Sequence, residues 1–109
     1  MKRSDVVLVA AAGDHGKPRP AVIVQSNAFP ETHRSVVVCQ MTSEFSEAAD
    51  FRITIEPSDR NGLRERSQIM ADKPVTVHRE RIGRTIGSLS EEDTRRLNIA
   101  LAFMMGLAD

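Results

Sequence analysis

The sequence predicts a mainly β (α+β) protein: a small, strongly bent β-barrel followed by one C-terminal α-helix. Three observations carry that expectation. Five to seven short β-favouring runs are separated by Gly, Pro and Asn turn signals, the spacing of a barrel. The stretch after Ser90 combines helix-start residues with apolar residues at spacings of three and four. The 109 residues, 40% of them hydrophobic, make one domain over 1–109 with a real but small core.

The elements follow in order. Val6 to Ala11 is apolar nearly throughout and reads as a strand buried on both faces. Ala12 to Pro18 is a glycine-bearing polar loop containing His15, suited to a flap over a ligand. The second strand runs from Pro20 to Ser26 and the third from Arg34 to Met41, with a Pro30-containing loop between them. Phe51, Ile53 and Ile55 alternate with Arg52 and Thr54, a half-buried strand. Asn61-Gly62 is a turn signal. Ser67–Ala71 and Val75–Arg79 read as two short strands parted by Asp72-Lys73-Pro74, and Arg79–Arg84 as a strand end or a single helical turn. Ser90 is an N-cap residue, and Glu91, Glu92 and Asp93 suit the positive end of the helix dipole. Leu97, Ala100, Leu101, Phe103, Met104 and Leu107 form a wide apolar stripe, and Gly106 terminates the helix.

Composition excludes several function classes. There is no Trp or Tyr and there are 4 Phe, too few for recognition of bases by an aromatic platform. The single Cys39 excludes an internal disulfide and a cysteine zinc cluster, and its place in an apolar strand makes it a small buried residue. The 3 His residues stand at no ligand spacing, so neither metal nor cofactor is expected. No secretory leader or membrane-length apolar run occurs, which predicts a cytoplasmic protein with no membrane partner. A domain this small leaves apolar surface uncovered, so self-association is expected.

The formal net charge is +0, yet the charges are not mixed evenly. Residues 1–34 and 60–85 are basic on balance, and residues 35–59 and 86–109 acidic. If the fold joins the two basic blocks, a basic groove forms despite zero net charge. A solvated, salt-bridge-laced surface has the same composition.

One stretch organises the candidate chemistry. In Gly16-Lys17-Pro18-Arg19-Pro20 two prolines restrict the backbone on either side of Arg19, at the mouth of an apolar strand. Taken alone, Arg19 also suits a solubilising edge-strand residue. Thr42 follows the next strand. If those two strands are antiparallel neighbours, the start of one lies beside the end of the other, and Arg19 and Thr42 share one edge of the sheet.

Asp5 to Val9, Arg19-Pro20 before the apolar strand, the hydroxyl pair Thr42-Ser43, Asn61-Gly62-Leu63, Ser67 to Lys73 and Arg81-Ile82-Gly83 stand in this order along nearly the whole chain. In that order they resemble the MazF/PemK toxins, the endoribonuclease half of bacterial toxin–antitoxin pairs. Two positions depart from the family pattern. Ser4 stands where a glycine is usual before the aspartate, and Gln40-Met41 replaces the usual Pro-Leu before Thr42-Ser43. The resemblance implies an SH3-like barrel of the CcdB/MazF type, working as a homodimer in the cytoplasm. It implies a metal-independent, sequence-specific endoribonuclease that cleaves single-stranded RNA through the 2′-hydroxyl, neutralised by a cognate antitoxin. It implies Arg19 and Thr42 as the catalytic pair, with His15, Lys17, Ser43 and Lys73 along the RNA. His15 is also the local candidate for proton transfer. Two alternatives stay open: a gyrase poison like the CcdB toxins, which share the fold and act by binding, and an SH3-like module that binds without cleaving.

Overall fold

The computed structural model describes residues 1–10, 17–47 and 51–108. In chain order the elements are β1 (Asp5–Val9), β2 (Arg19–Ile23), β3 (Ser35–Thr42), β4 (Arg52–Ile55), β5 (Ser67–His78), a 3-10 turn (Arg79–Arg81), β6 (Ile82–Ser88) and α1 (Glu91–Met104). The strands form one antiparallel sheet in the order β4-β5-β3-β2-β1-β6.

Alternation along the three central strands builds two cores, one on each face. Val6, Val22 and Cys39 lie opposite one another across β1, β2 and β3 and join Met41, Ile53, Ile69 and Leu97 in one cluster. Val7, Val9, Ala21, Ile23, Val36 and Val38 form the other cluster, on the opposite face. The expectation that the first strand is buried on both sides is met. Cys39 is fully buried, and burial pushes its thiol up to about 11.

The helix closes the first cluster. The Ser90 side chain accepts the backbone N–H of Asp93 at 3.1 Å, the capping bond that the sequence predicts. Leu97 and Ala100 are buried against β4 and β5, while Ile99, Phe103 and Leu107 remain exposed. Gly106 ends the helix at φ 73, and the next residue, Leu107, donates its N–H to Ala102 O at 2.8 Å. Ser4, the residue in place of the usual glycine, has φ 76, the left-handed region in which a glycine is unstrained. Its hydroxyl oxygen accepts the Thr94 hydroxyl at 3.1 Å, which ties the N-terminal lead to α1.

Three sequence expectations are corrected. The two short strands around Asp72-Lys73-Pro74 are one continuous strand, β5. Proline is tolerated there because β4 pairs only with residues 67–70 of β5, so beyond Met70 one side of the strand needs no ladder donors. Arg79–Arg84 is neither a strand end nor a helical turn alone: a 3-10 turn leads directly into β6, which the glycines at 83 and 87 conceal in the sequence. The barrel is not closed by strand pairing, since β4 and β6 are sheet edges among the described residues.

A backbone seam takes the place of that closure. The turn after β4 folds onto β6, and Ser88 donates its N–H to Arg60 O at 2.9 Å. Gly62 (φ 70) and Gly87 are the contact points: a Cβ on Gly62 would overlap the Ile86 carbonyl, and one on Gly87 the Arg60 and Asn61 backbone. Asn61, buried, knits the turn from within. Its Oδ1 accepts Ser58 N–H and Leu63 N–H, each at 3.0 Å, and its Nδ2 donates to Glu56 O at 2.8 Å.

Three outcomes are expected. Gly87→Ala destabilises the protein by about 1–3 kcal/mol in urea titration, because the obstacle is backbone. Gly83→Ala, whose Cβ meets only Leu8 O at 3.5 Å, changes stability by about 0.5 kcal/mol or less. Cys39 reacts with a thiol reagent such as DTNB only after denaturant unfolds the chain, so rapid labelling of native protein would contradict its burial.

Candidate active site

Arg19 opens β2 opposite Val9 and is exposed, and its guanidinium makes no hydrogen bond or ion pair among the described residues. Pro20 fits as a strand's opening residue because it pairs with Leu8 on one side, while the β2–β3 ladder begins only at Ala21. That ladder sets Ala21 opposite Gln40. Arg19 and Thr42, the last residue of β3, each lie two residues beyond that pair on their own strand, toward the same end of the ladder. The antiparallel geometry expected from sequence is therefore present.

Arg19 and Thr42 line one pocket of about 630 Å³ together with Lys17 and Ser43. Leu8, Met41, Leu63 and Ile86 give it apolar surface. Arg64 and Glu65, from the turn after β4, and Arg84, from β6, complete it. Lys17 and Arg19 come from the first basic block, and Arg64 and Arg84 from the second. The fold thus joins the two blocks, with four cations against the single carboxylate of Glu65 among the described lining residues.

The Thr42 hydroxyl is oriented by the chain that follows it. Its Oγ1 accepts the Glu44 N–H at 3.0 Å, which leaves the hydroxyl hydrogen free to donate elsewhere. Gln68, buried and paired with Thr42 across β3 and β5, fastens that segment. Its Oε1 accepts Ser46 N–H at 3.0 Å and its Nε2 donates to Ser46 O at 3.2 Å. The Arg66 guanidinium, bonded to Glu56 at 2.7 Å, covers the Phe45 ring at 4.9 Å. An arginine fork and an aimed hydroxyl donor at one end of two central strands can bind a phosphate and stabilise charge developing on it.

The other expected residues divide. Lys17 and Ser43 lie in the pocket. Lys73 does not: it is exposed in the middle of β5 beside Asp72, whose carboxylate takes Arg52 Nε at 2.7 Å and Nη2 at 3.2 Å. His15 and the flap residues up to Gly16 lie outside the described residues. His33 packs edge-on against Phe29 with centroids 5.4 Å apart, and neither it nor His78 lines the pocket. Among the described residues no three His, Cys, Asp or Glu converge as a metal site. Arg64, Glu65 and Arg84 were not singled out from sequence. Their only signal there was the basic excess of residues 60–85.

By its match to a family model the chain belongs to the toxins of type II toxin–antitoxin systems. It is a member of the PemK-like, MazF-like toxin family, whose model matches residues 2–105. A protein of Mycolicibacterium smegmatis named "Probable endoribonuclease MazF" is 39% identical over 109 residues, covering 99% of each chain. Among solved structures, an endoribonuclease from a Mycobacterial species in complex with its cognate antitoxin has a TM-score of 0.84 at 23% identity, covering 100% of this chain and 98% of its own. The Mycobacterium tuberculosis toxin MazF-mt6 has a TM-score of 0.81 at 19% identity, covering 96% of this chain and 99% of its own. These likenesses establish the antiparallel sheet with a C-terminal helix, and the family match does not favour the gyrase-poison alternative.

The Arg52–Asp72 pair yields a pH test. The Arg52 guanidinium bonded to Asp72 holds its carboxyl below the usual 3.8. A depressed carboxyl stabilises the folded state above its unfolded value, and that contribution is lost as pH falls through the folded value. Stability measured by urea titration is therefore expected to fall below about pH 4. Asp72→Asn is expected to flatten part of that fall, and an unchanged profile would remove the pair from the acid response.

Proposed function

We propose that this protein is the endoribonuclease toxin of a type II toxin–antitoxin system. It cleaves single-stranded RNA in a sequence-specific, metal-independent reaction. The observation that carries the reading is Arg19 and Thr42 in one basic pocket, at adjoining ends of antiparallel strands. Family membership and the name of the Mycolicibacterium smegmatis relative support it.

RNA supplies its own nucleophile. The 2′-oxygen attacks the adjacent phosphorus, the bond from phosphorus to the 5′-oxygen breaks, and a cyclic phosphate and a 5′-hydroxyl result. One proton leaves the 2′-hydroxyl and one reaches the departing oxygen. Arg19 and the Thr42 hydroxyl hold the phosphate and stabilise its growing charge, which positions the nucleophile in line. Lys17 and Ser43 contact the strand beside them. Glu65 is a carboxylate of the same pocket available as a proton acceptor. Lys73 takes a more distant part of the RNA, and His15 remains a candidate contact on the flap.

The domain over 1–109, an SH3-like barrel in class, acts as a homodimer in the cytoplasm. A cognate antitoxin lays an acidic segment across the basic pocket, blocking RNA by charge complementarity. The exposed apolar residues Ile99, Phe103 and Leu107 are consistent with a partner surface.

The test is incubation of purified protein with a long single-stranded RNA in EDTA, beside Arg19→Ala and Thr42→Val. The wild type is expected to yield discrete fragments. Arg19→Ala should lower the cleavage rate by roughly a hundredfold to a thousandfold, the scale of a lost transition-state donor, with an unchanged melting temperature. A fully active Arg19→Ala would remove Arg19 from the site, and intact RNA with every wild-type substrate would refute the ribonuclease reading.

A further inference from the structure

We infer that Arg64 and Arg84 form a second anion subsite, which holds the phosphate next to the scissile one. The site then grips two consecutive phosphates of one strand. This rests on the endoribonuclease reading, in which Arg19 and Thr42 hold the scissile phosphate.

The first argument is a difference among the arginines. Arg3, Arg52, Arg66, Arg79 and Arg96 each donate to a carbonyl or carboxylate of the protein. Arg19, Arg34, Arg60, Arg64, Arg81, Arg84 and Arg95 have no such partner among the described residues, and of these seven Arg19, Arg64 and Arg84 come together in the one pocket. Guanidiniums gathered at one concave site and left without protein acceptors have their donors directed to a ligand.

The second argument is spacing. β2 and β6 flank β1 on its two sides, so Arg19 and Arg84 stand two strand spacings apart, about 10 Å along the sheet. Arg19 with Thr42 and Lys17 already offers more donors than one phosphate uses on that side of the pocket. Two guanidiniums on the opposite wall suit the next anion of the same backbone. RNA, which carries one charge per nucleotide, meets that pattern.

The third argument is rigidity. Arg64 lies two residues beyond Gly62, which touches the Ile86 backbone, and Arg84 lies two residues before Ile86. The Asn61 hydrogen bonds stiffen the turn from within, and the Ser88–Arg60 bond ties it to β6. The two arginines therefore stand on one fixed wall, a preorganised clamp for a flexible strand.

Two measurements test this. In the first, single phosphates of a short RNA carrying the protein's own cleavage motif are replaced by uncharged methylphosphonates. One position beside the scissile bond is expected to cost wild-type cleavage roughly tenfold to a hundredfold. The same replacement should cost the Arg64→Ala/Arg84→Ala protein less than about twofold, because the contact is already gone. Equal losses in both proteins would overturn the subsite while leaving the ribonuclease reading intact. The second measurement does not depend on cleavage. Binding of a fluorescent 2′-O-methyl RNA, which lacks the nucleophile, is followed against salt. Each arginine-to-alanine change is expected to reduce the log–log slope by about 0.7, and Arg84→Lys to retain it. An unchanged slope, or no binding to the wild type, overturns the inference. Failure of the ribonuclease reading alone would appear as binding with these slopes and no cleavage of any RNA.

Discussion

The antiparallel ladder between β2 and β3 is the constraint on which the rest depends. Because side chains alternate across it, one pairing register puts Val22 and Cys39 in one core and Ala21, Ile23 and Val38 in the other. A slip by one residue would exchange the two cores and expose neither set to water, but it would unseat both from their packing partners. The same register fixes what stands at the ladder's open end. The site is therefore a by-product of core packing: the residues that hold Arg19 beside Thr42 are valines, a cysteine and an alanine that never touch the pocket.

The residues around that end remove freedom from the two groups in different ways. Arg19 is constrained by covalent means, with a proline on each side. Thr42 is constrained by hydrogen bonds, through the Glu44 N–H on its oxygen and the Gln68 carboxamide on Ser46. Buried Gln68 acts here as a piece of strand, offering an acceptor and a donor to the Ser46 backbone. The missing proline of the usual Pro-Leu-Thr-Ser pattern, replaced by Gln40, leaves Thr42 in place because the strand pairing already holds it.

Much of this was legible in the sequence, and the illegible part has a common cause. Strands β1 to β4, the Ser90 cap, the Gly106 terminator and the Arg19–Thr42 edge all follow from local pattern and sequential neighbours. Errors arose where tertiary pairing overrode a local signal. Pro74 looked like a break because the open side of β5 is a property of the sheet and not of the strand. β6 was missed because Gly83 and Gly87 interrupt its pattern, and Gly87 serves a contact with the turn at 60–62, far away in sequence. Arg84 was missed because β6 reaches the site by pairing with β1, from the opposite end of the chain, and Arg64 and Glu65 because the turn after β4 reaches it by folding onto β6. The basic excess of residues 60–85 signalled a groove but could not say which of its cations enter it.

The seam of Gly62 and Gly87 has a consequence for substitution. Its fit is made by main chain against main chain, so it holds the pocket wall without help from the side chains at 64, 65 and 84. Those three project from the scaffold at positions where exchange costs folding little, while the two glycines are barred from change. The wall is in effect a cassette: the side chains at 64, 65 and 84 can be exchanged while the main-chain frame that carries them stays the same.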